Sequence, residues 1–136
     1  MLTQLEKYHL TLDSRQESVA QVEALVDTIK EELDLGDEMY GNIIVSVTEA
    51  VNNAIMHGNK QDPEKKVEVS VAKDHHSLIF YIKDEGAGFD FNNLPDPTAP
   101  ENLEKPTGRG VFLMKNLSDL VVFSDNGSVV EIHFKL

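Results

Sequence analysis

Two periods of apolar positions run along this chain, and the switches between them mark its elements. Over residues 7–13, Tyr8, Leu10 and Leu12 alternate with Lys7, His9, Thr11 and Asp13, which predicts a strand with one buried face. Ser14 and Glu17 have the spacing of a capping box. Val19, Val22, Val26, Ile29 and Leu33 then recur at helical spacing, predicting a helix that ends at Gly36. A second helix is predicted over 37–57, with Gly58 as its C-cap. Val67, Val69 and Val71 alternate with polar or small neighbours and predict a second strand. Residues 78–83 are apolar on both faces, which suits a strand in the middle of a sheet. After a long non-periodic stretch, Val111, Met114 and Leu117 mark a short helix. A strand over 121–124, a two-residue type I′ turn at Asn126-Gly127 and an alternating strand through Val130, Ile132, Phe134 and Leu136 close the pattern. The order β-α-α-β-β-loop-α-β-β predicts an α+β two-layer sandwich, with helices on one face of a mixed, mainly antiparallel sheet. No repeat or linker divides residues 1–136, which read as a single domain.

The second helix carries an unusual polar face. At about 100° per residue, Ile44, Val47, Val51 and Ile55 form an apolar stripe. Asn42, Ser46, Glu49, Asn53 and His57 share a separate sector of roughly 80°. A merely solvated helix face would carry Lys and Arg. This one has none, and so reads as the lining of a site. His57 itself reads as a cap for the helix C-terminus.

Two further stretches carry candidate chemistry. Asp84 continues the apolar face of Leu78, Phe80 and Ile82, so its carboxylate needs a hydrogen-bonding partner. Gly86 and Gly88 follow it and allow a tight turn or close approach of a ligand. Residues 89–107 contain four of the five prolines and end in Thr107-Gly108-Arg109-Gly110, a glycine-rich stretch that opens a helix. Free amides and the positive end of the dipole make such a place suited to an anion. Taken singly, each stretch also has an ordinary structural reading as a turn or as flexible backbone. His75-His76 reads as a turn rather than a metal site, since adjacent side chains diverge there.

Composition narrows the function. Of 136 residues, 40% are hydrophobic and 26% charged, as in a globular domain. The net charge of −12 opposes a direct, sequence-independent nucleic-acid role and suits partners with basic patches. Absence of cysteine excludes disulfides and thiolate chemistry. No charged-then-apolar leader and no apolar run near 18 residues occur, so the expectation is a cytoplasmic protein without a membrane span. No P-loop signature is present.

In order, Glu49-Ala50-Val51-Asn52-Asn53-Ala54, Asp84-x-Gly86-x-Gly88 and Gly108-Arg109-Gly110 resemble the N box and the two glycine boxes of the GHKL ATPase superfamily, which includes gyrase, MutL and the histidine kinases. The resemblance covers essentially the whole chain. Residues 47–59 and Gly108-Arg109-Gly110-Val111-Phe112-Leu113-Met114 are similar to the branch of small anti-sigma-factor serine/threonine-protein kinases.

The resemblance implies the Bergerat ATP-binding fold, with ATP and Mg²⁺ as cofactors. It implies Glu49 as general base, Asn53 as magnesium ligand, and Asp84 as acceptor for the adenine amine. Gly86 and Gly88 would lie beside the base, residues 89–107 would form an ATP lid, and Gly108, Gly110 and Thr107 would meet the phosphates. Lys105 stands where the branch commonly has arginine near the γ-phosphate. Lysine lacks the planar bidentate fork, and Arg109 is the alternative cation. The implied function is phosphorylation of an anti-sigma-factor antagonist on a hydroxyl by an anti-sigma factor that also holds a sigma factor, with a homodimer as an option. The alternative is a non-catalytic, ATP-dependent regulatory module. A histidine kinase fragment fits less well, because the only histidine in the N-terminal part, His9, falls on a predicted strand.

Overall fold

The computed structural model describes residues 3–4, 8–86 and 106–136, with side chains for 8–86 and 110–136. In chain order the elements are β1 (Thr3–Gln4), β2 (Leu10–Asp13), α1 (Val19–Glu32), α2 (Asp37–Asn53), β3 (Lys66–Lys73), β4 (Ser77–Lys83), α3 (Pro106–Leu117), β5 (Leu120–Ser124) and β6 (Val129–Lys135). The sheet order is β1-β3-β4-β6-β5, and β2 shares the free edge of β3 with β1. β4 is therefore central, as its two apolar faces predict. All the described pairings are antiparallel, so the sheet is not mixed. The short β1 has no counterpart in the sequence reading.

Period two decides which face of the sheet is covered. Val67, Val69 and Val71 of β3, Leu78, Phe80 and Ile82 of β4, and Val130, Ile132 and Phe134 of β6 form one buried face. Against it lie Val22, Leu25, Val26 and Ile29 of α1 and Ile43, Val47, Ala50 and Val51 of α2. Each large side chain so removed from water contributes about 1.5–3 kcal/mol. Phe80 and Phe134 meet edge to face at 6.0 Å, tying the two middle strands on the helix side. Among the described residues, no helix is long and apolar enough to cross a membrane.

Several local expectations are overturned, each for a physical reason. The predicted capping box is absent. The Ser14 hydroxyl instead donates to Lys65 O at 2.6 Å, and a 3₁₀ turn, Gln16–Ser18, leads into α1. Helix α1 ends at Glu32, with the reversal taken by Asp34 at φ 52°. Gly36 has extended backbone and sits at the N-cap of α2, followed by Asp37 and Glu38 at the favourable end of the dipole. Ile43, rather than Ile44, is fully buried in α2, and Ser46 is buried too.

The Asn126-Gly127 turn is longer than two residues. Ser124 pairs with Val129, leaving four residues between the strands, and Asp125, Asn126 and Gly127 all have positive φ. Leu136 lies exposed beyond β6. His75-His76 forms the expected turn, with Asp74 Oδ1 accepting the amides of His76 and Ser77 at 2.8 and 2.7 Å.

Candidate functional site

Helix α2 does not stop at Asn53. It widens into a π-helical turn, Ala54–Gly58, closed by Asn59 N–H donating to Ala54 O at 2.8 Å. Left-handed backbone appears only afterwards, at Lys60 and Gln61. Gly58 is thus not the predicted left-handed C-cap. Its lack of a side chain serves packing: a Cβ on Gly58 would overlap the Asp84 carboxylate. A Cβ on Gly86 would overlap the Gly58 carbonyl. These two glycines allow the end of the α2 turn and the loop after β4 to close on Asp84.

Asp84 lies at the end of β4's buried face, 8% exposed. Its amide donates to Ser128 O at 2.9 Å, which extends the β4–β6 pairing one step past the strands. The four-residue hairpin makes this contact available. Asp84 Oδ1 accepts the Gly86 amide at 2.8 Å. Burial pushes the carboxyl above its usual range, and the Gly86 amide and the charge of Lys65 partly offset that. Among the described residues, one amide does not use the capacity of two carboxylate oxygens.

Asp84 faces a cavity of about 150 Å³. Ala50, Ala54, Ile82, Val111, Met114 and Val130 give it apolar walls, and Asn53, His57 and Ser128 bring polar groups to it. A mostly apolar recess with a few convergent polar groups is the usual form of a small-molecule site. Its apolar lining and buried carboxylate suit an apolar ligand that carries a hydrogen-bond donor.

The other end of the site is built where α3 crosses α2. A Cβ on Gly110 would come 2.7 Å from Asn53 Nδ2 and 3.1 Å from Glu49 Oε2. The fold thus brings Glu49, Asn53 and Gly110 together, and Asn53 also lines the cavity that Asp84 faces. Glu49 and Asn53 are half-exposed, so both can meet a ligand. Ser46, placed on the same polar face by the wheel, is instead buried, and its hydroxyl has no partner among the described residues.

Pro106 and Thr107 begin α3, so Gly108 and Gly110 lie inside its first turns rather than ahead of it. Proline is well suited to a first helical turn, where the amide it lacks would be unpaired. The backbone of Thr107, Gly108 and Arg109 belongs to α3, while the side chains of Thr107 and Arg109 lie outside the described residues, as do Gly88, Lys105 and the proposed lid from 89 to 105.

The structure revises the reading of His57 and adds two features the sequence reading missed. His57 is exposed at the cavity rim and makes no capping hydrogen bond among the described residues. Asn59, a loop residue by sequence, is 1% exposed and fully engaged in hydrogen bonds. Ser128 was legible only as a position two residues before inward-facing Val130.

Residues 12–134 match the histidine kinase-like ATPase domain family. The chain is 23% identical over 137 residues to the serine-protein kinase RsbW of Bacillus cereus (strain AH820) and to that of Bacillus anthracis, covering 96% of this chain and 85% of each relative. The corresponding protein of Bacillus cereus (strain Q1) is 24% identical over 138 residues, with the same coverage. Among solved structures, the histidine kinase domain from the Erythrobacter litoralis EL346 blue-light activated histidine kinase superposes with a TM-score of 0.52 at 18% identity, covering 89% of this chain and 60% of that one. That likeness is one of fold. With the three motifs gathered on one antiparallel sheet and its helices, and with the match spanning nearly the whole sequence, this chain belongs to the histidine kinase-like ATPase domain family.

Proposed function

We propose that this protein is an ATP-dependent serine/threonine-protein kinase that acts as an anti-sigma factor and phosphorylates an antagonist protein on a hydroxyl. The supporting observation is a site with two ends: Asn53, which lies with Glu49 against Gly110, lines the same cavity as buried Asp84. One end suits an adenine and the other suits phosphates. The name of the Bacillus relatives, serine-protein kinase, points to the same transfer.

In this reading the Asp84 carboxylate accepts a hydrogen bond from the adenine exocyclic amine. Gly86 keeps the backbone close to the ring, Gly108 and Gly110 sit beside the phosphates, and Thr107, Lys105 and Arg109 supply a hydroxyl and positive charge there. Gly88 belongs with Gly86 by sequence. Glu49 takes the proton of the attacking serine hydroxyl as that oxygen bonds to the γ-phosphorus and the bond to the β-phosphate oxygen breaks, releasing ADP.

The Asn53 carboxamide is the side chain that a Cβ on Gly110 would meet first, and its amide oxygen is of a kind that suits a hard cation. Mg²⁺ takes one or two protein oxygens and fills its remaining positions with phosphate and water, so Asn53 fits as its protein ligand. When bound, the ion would neutralise charge on the β- and γ-phosphates. Cytoplasmic location, a sigma factor as the held partner and a homodimer belong to the same proposal.

The test recovers the partner from the source cell on the immobilised chain and incubates the complex with Mg·ATP. Mass spectrometry of the partner should find phosphoserine or phosphothreonine that is absent with Glu49→Gln. A complex that forms and binds ATP but yields no phosphorylated hydroxyl would establish the regulatory module instead.

A further inference from the structure

Ser14, Asn59 and Asp84 are buried polar side chains gathered at one place, where β2, the π turn and the loop after β4 meet. Asn59 occupies the centre. Its Oδ1 accepts the Glu85 amide at 2.8 Å, and its Nδ2 donates to Ser14 Oγ at 2.9 Å and to Lys66 O at 3.0 Å. The orientation of this carboxamide is fixed by its neighbours. The Ser14 hydroxyl proton is committed to Lys65 O, so Ser14 can only accept from Asn59. Lys66 O can only accept, and Glu85 N–H can only donate. A flipped amide would set oxygen against two acceptors and a donor against a donor.

The consequence reaches Asp84 through the chain. Asn59 directly follows Gly58, and Glu85 directly follows Asp84. The Asn59–Glu85 bond therefore holds together the two backbone segments that leave no room for a Cβ on Gly58 or Gly86. On its other side Asp84 is fixed by Ser128 O.

We propose that Asn59 is a positioning residue that clamps the turn bearing Asp84 and thereby sets discrimination between adenine and guanine nucleotides. The proposal rests on the reading of Asp84 as acceptor for the adenine amine. Guanine presents a carbonyl oxygen where adenine presents the amine, and a fixed carboxylate repels it. Released from the clamp, Asp84 can turn away, and the base contact is lost for ATP while GTP gains.

The test measures the ATP and GTP dissociation constants of the full chain by calorimetry, with a melting curve for each variant. Asn59→Leu, similar in shape but without polar atoms, should lower the preference for ATP over GTP at least about tenfold. Ser14→Ala removes one partner of Asn59 and leaves the Glu85 bond, so it should melt earlier yet keep the wild-type preference within about twofold. Should the leucine variant not fold, Asn59→Ser, too short to reach the Glu85 amide, carries the same expectation. A folded Asn59 variant with wild-type preference would overturn the proposal, and so would an equal loss of preference in Ser14→Ala. Wild-type protein that binds ATP and GTP alike would remove the adenine reading itself, and the role of Asn59 with it.

Discussion

The two ends of the candidate site are built differently. At the Asp84 end, backbone meets backbone: Gly58 and Gly86 are close enough to exclude a methyl group, and Asp84, Glu85 and Gly86 all have hydrogen-bonded amides. At the Glu49 end, two half-exposed side chains on α2 stand under one glycine of α3. The first arrangement gives a fixed, desolvated acceptor. The second leaves a carboxylate and a carboxamide partly exposed. In the proposed function, base recognition and phosphoryl chemistry fall to separate residues on separate elements, and substitutions at the two ends should have separable effects.

The largest separation is expected from Glu49→Gln. Losing a general base costs about 10²–10⁴-fold in rate, while ATP affinity should stay within about twofold. A partner-phosphorylation time course beside an ATP titration reads both. Asp84→Asn should do the reverse. The single amide oxygen can accept from the Gly86 amide or from the adenine amine but not both, so one donor meets the NH₂ group instead, which costs about 1–3 kcal/mol in ATP affinity. Gly86→Ala would force a methyl into the Gly58 backbone, and overpacking of this kind costs about 1–3 kcal/mol of stability. Thermal melting without nucleotide should show it, whereas Gly110→Ala, whose new methyl meets only the ends of the Asn53 and Glu49 side chains, should melt nearer wild type.

The smallest effect concerns pH. The folded chain holds the Asp84 proton more tightly than the unfolded chain does, because burial raises its pKa above 3.8. The charged carboxylate therefore opposes folding at neutral pH, and that cost disappears as pH falls through the raised value towards 3.8. Asp84→Asn should accordingly melt slightly higher than wild type at neutral pH and lose this part of the pH dependence. ATP affinity should fall over the same window, since a protonated Asp84 keeps one good acceptor oxygen, and the Gly86 amide already uses it. A wild-type affinity that stays flat on acidification would place the base elsewhere.

Much of the fold was legible because burial follows period. Val67, Val69 and Val71, Phe80 and Ile82, and Val22, Val26 and Ile29 all face the core as their spacing predicts. The placement of candidate residues was legible where they lay on one element, as with Glu49 and Asn53 on α2 or Asp84 in register with Ile82. Illegible were roles that arise between elements. Gly58 suggests a helix cap by sequence, but the Asp84 carboxylate from 26 residues later is what requires a glycine there. Ser14 suggests a capping box, but Lys65 O takes its proton. Asn59 has the sequence context of a solvated loop, and only the approach of Glu85 makes it a buried clamp. The π turn left no periodic signature, since it shifts the helix by one residue only at its end.

The division between the two ends is tested most directly by calorimetric titration of ATP into wild type, Glu49→Gln and Asp84→Asn under identical conditions. The expected result is one site with wild-type affinity in Glu49→Gln and affinity weakened roughly tenfold or more in Asp84→Asn. Wild-type affinity in Asp84→Asn, or equal losses in both variants, would contradict it.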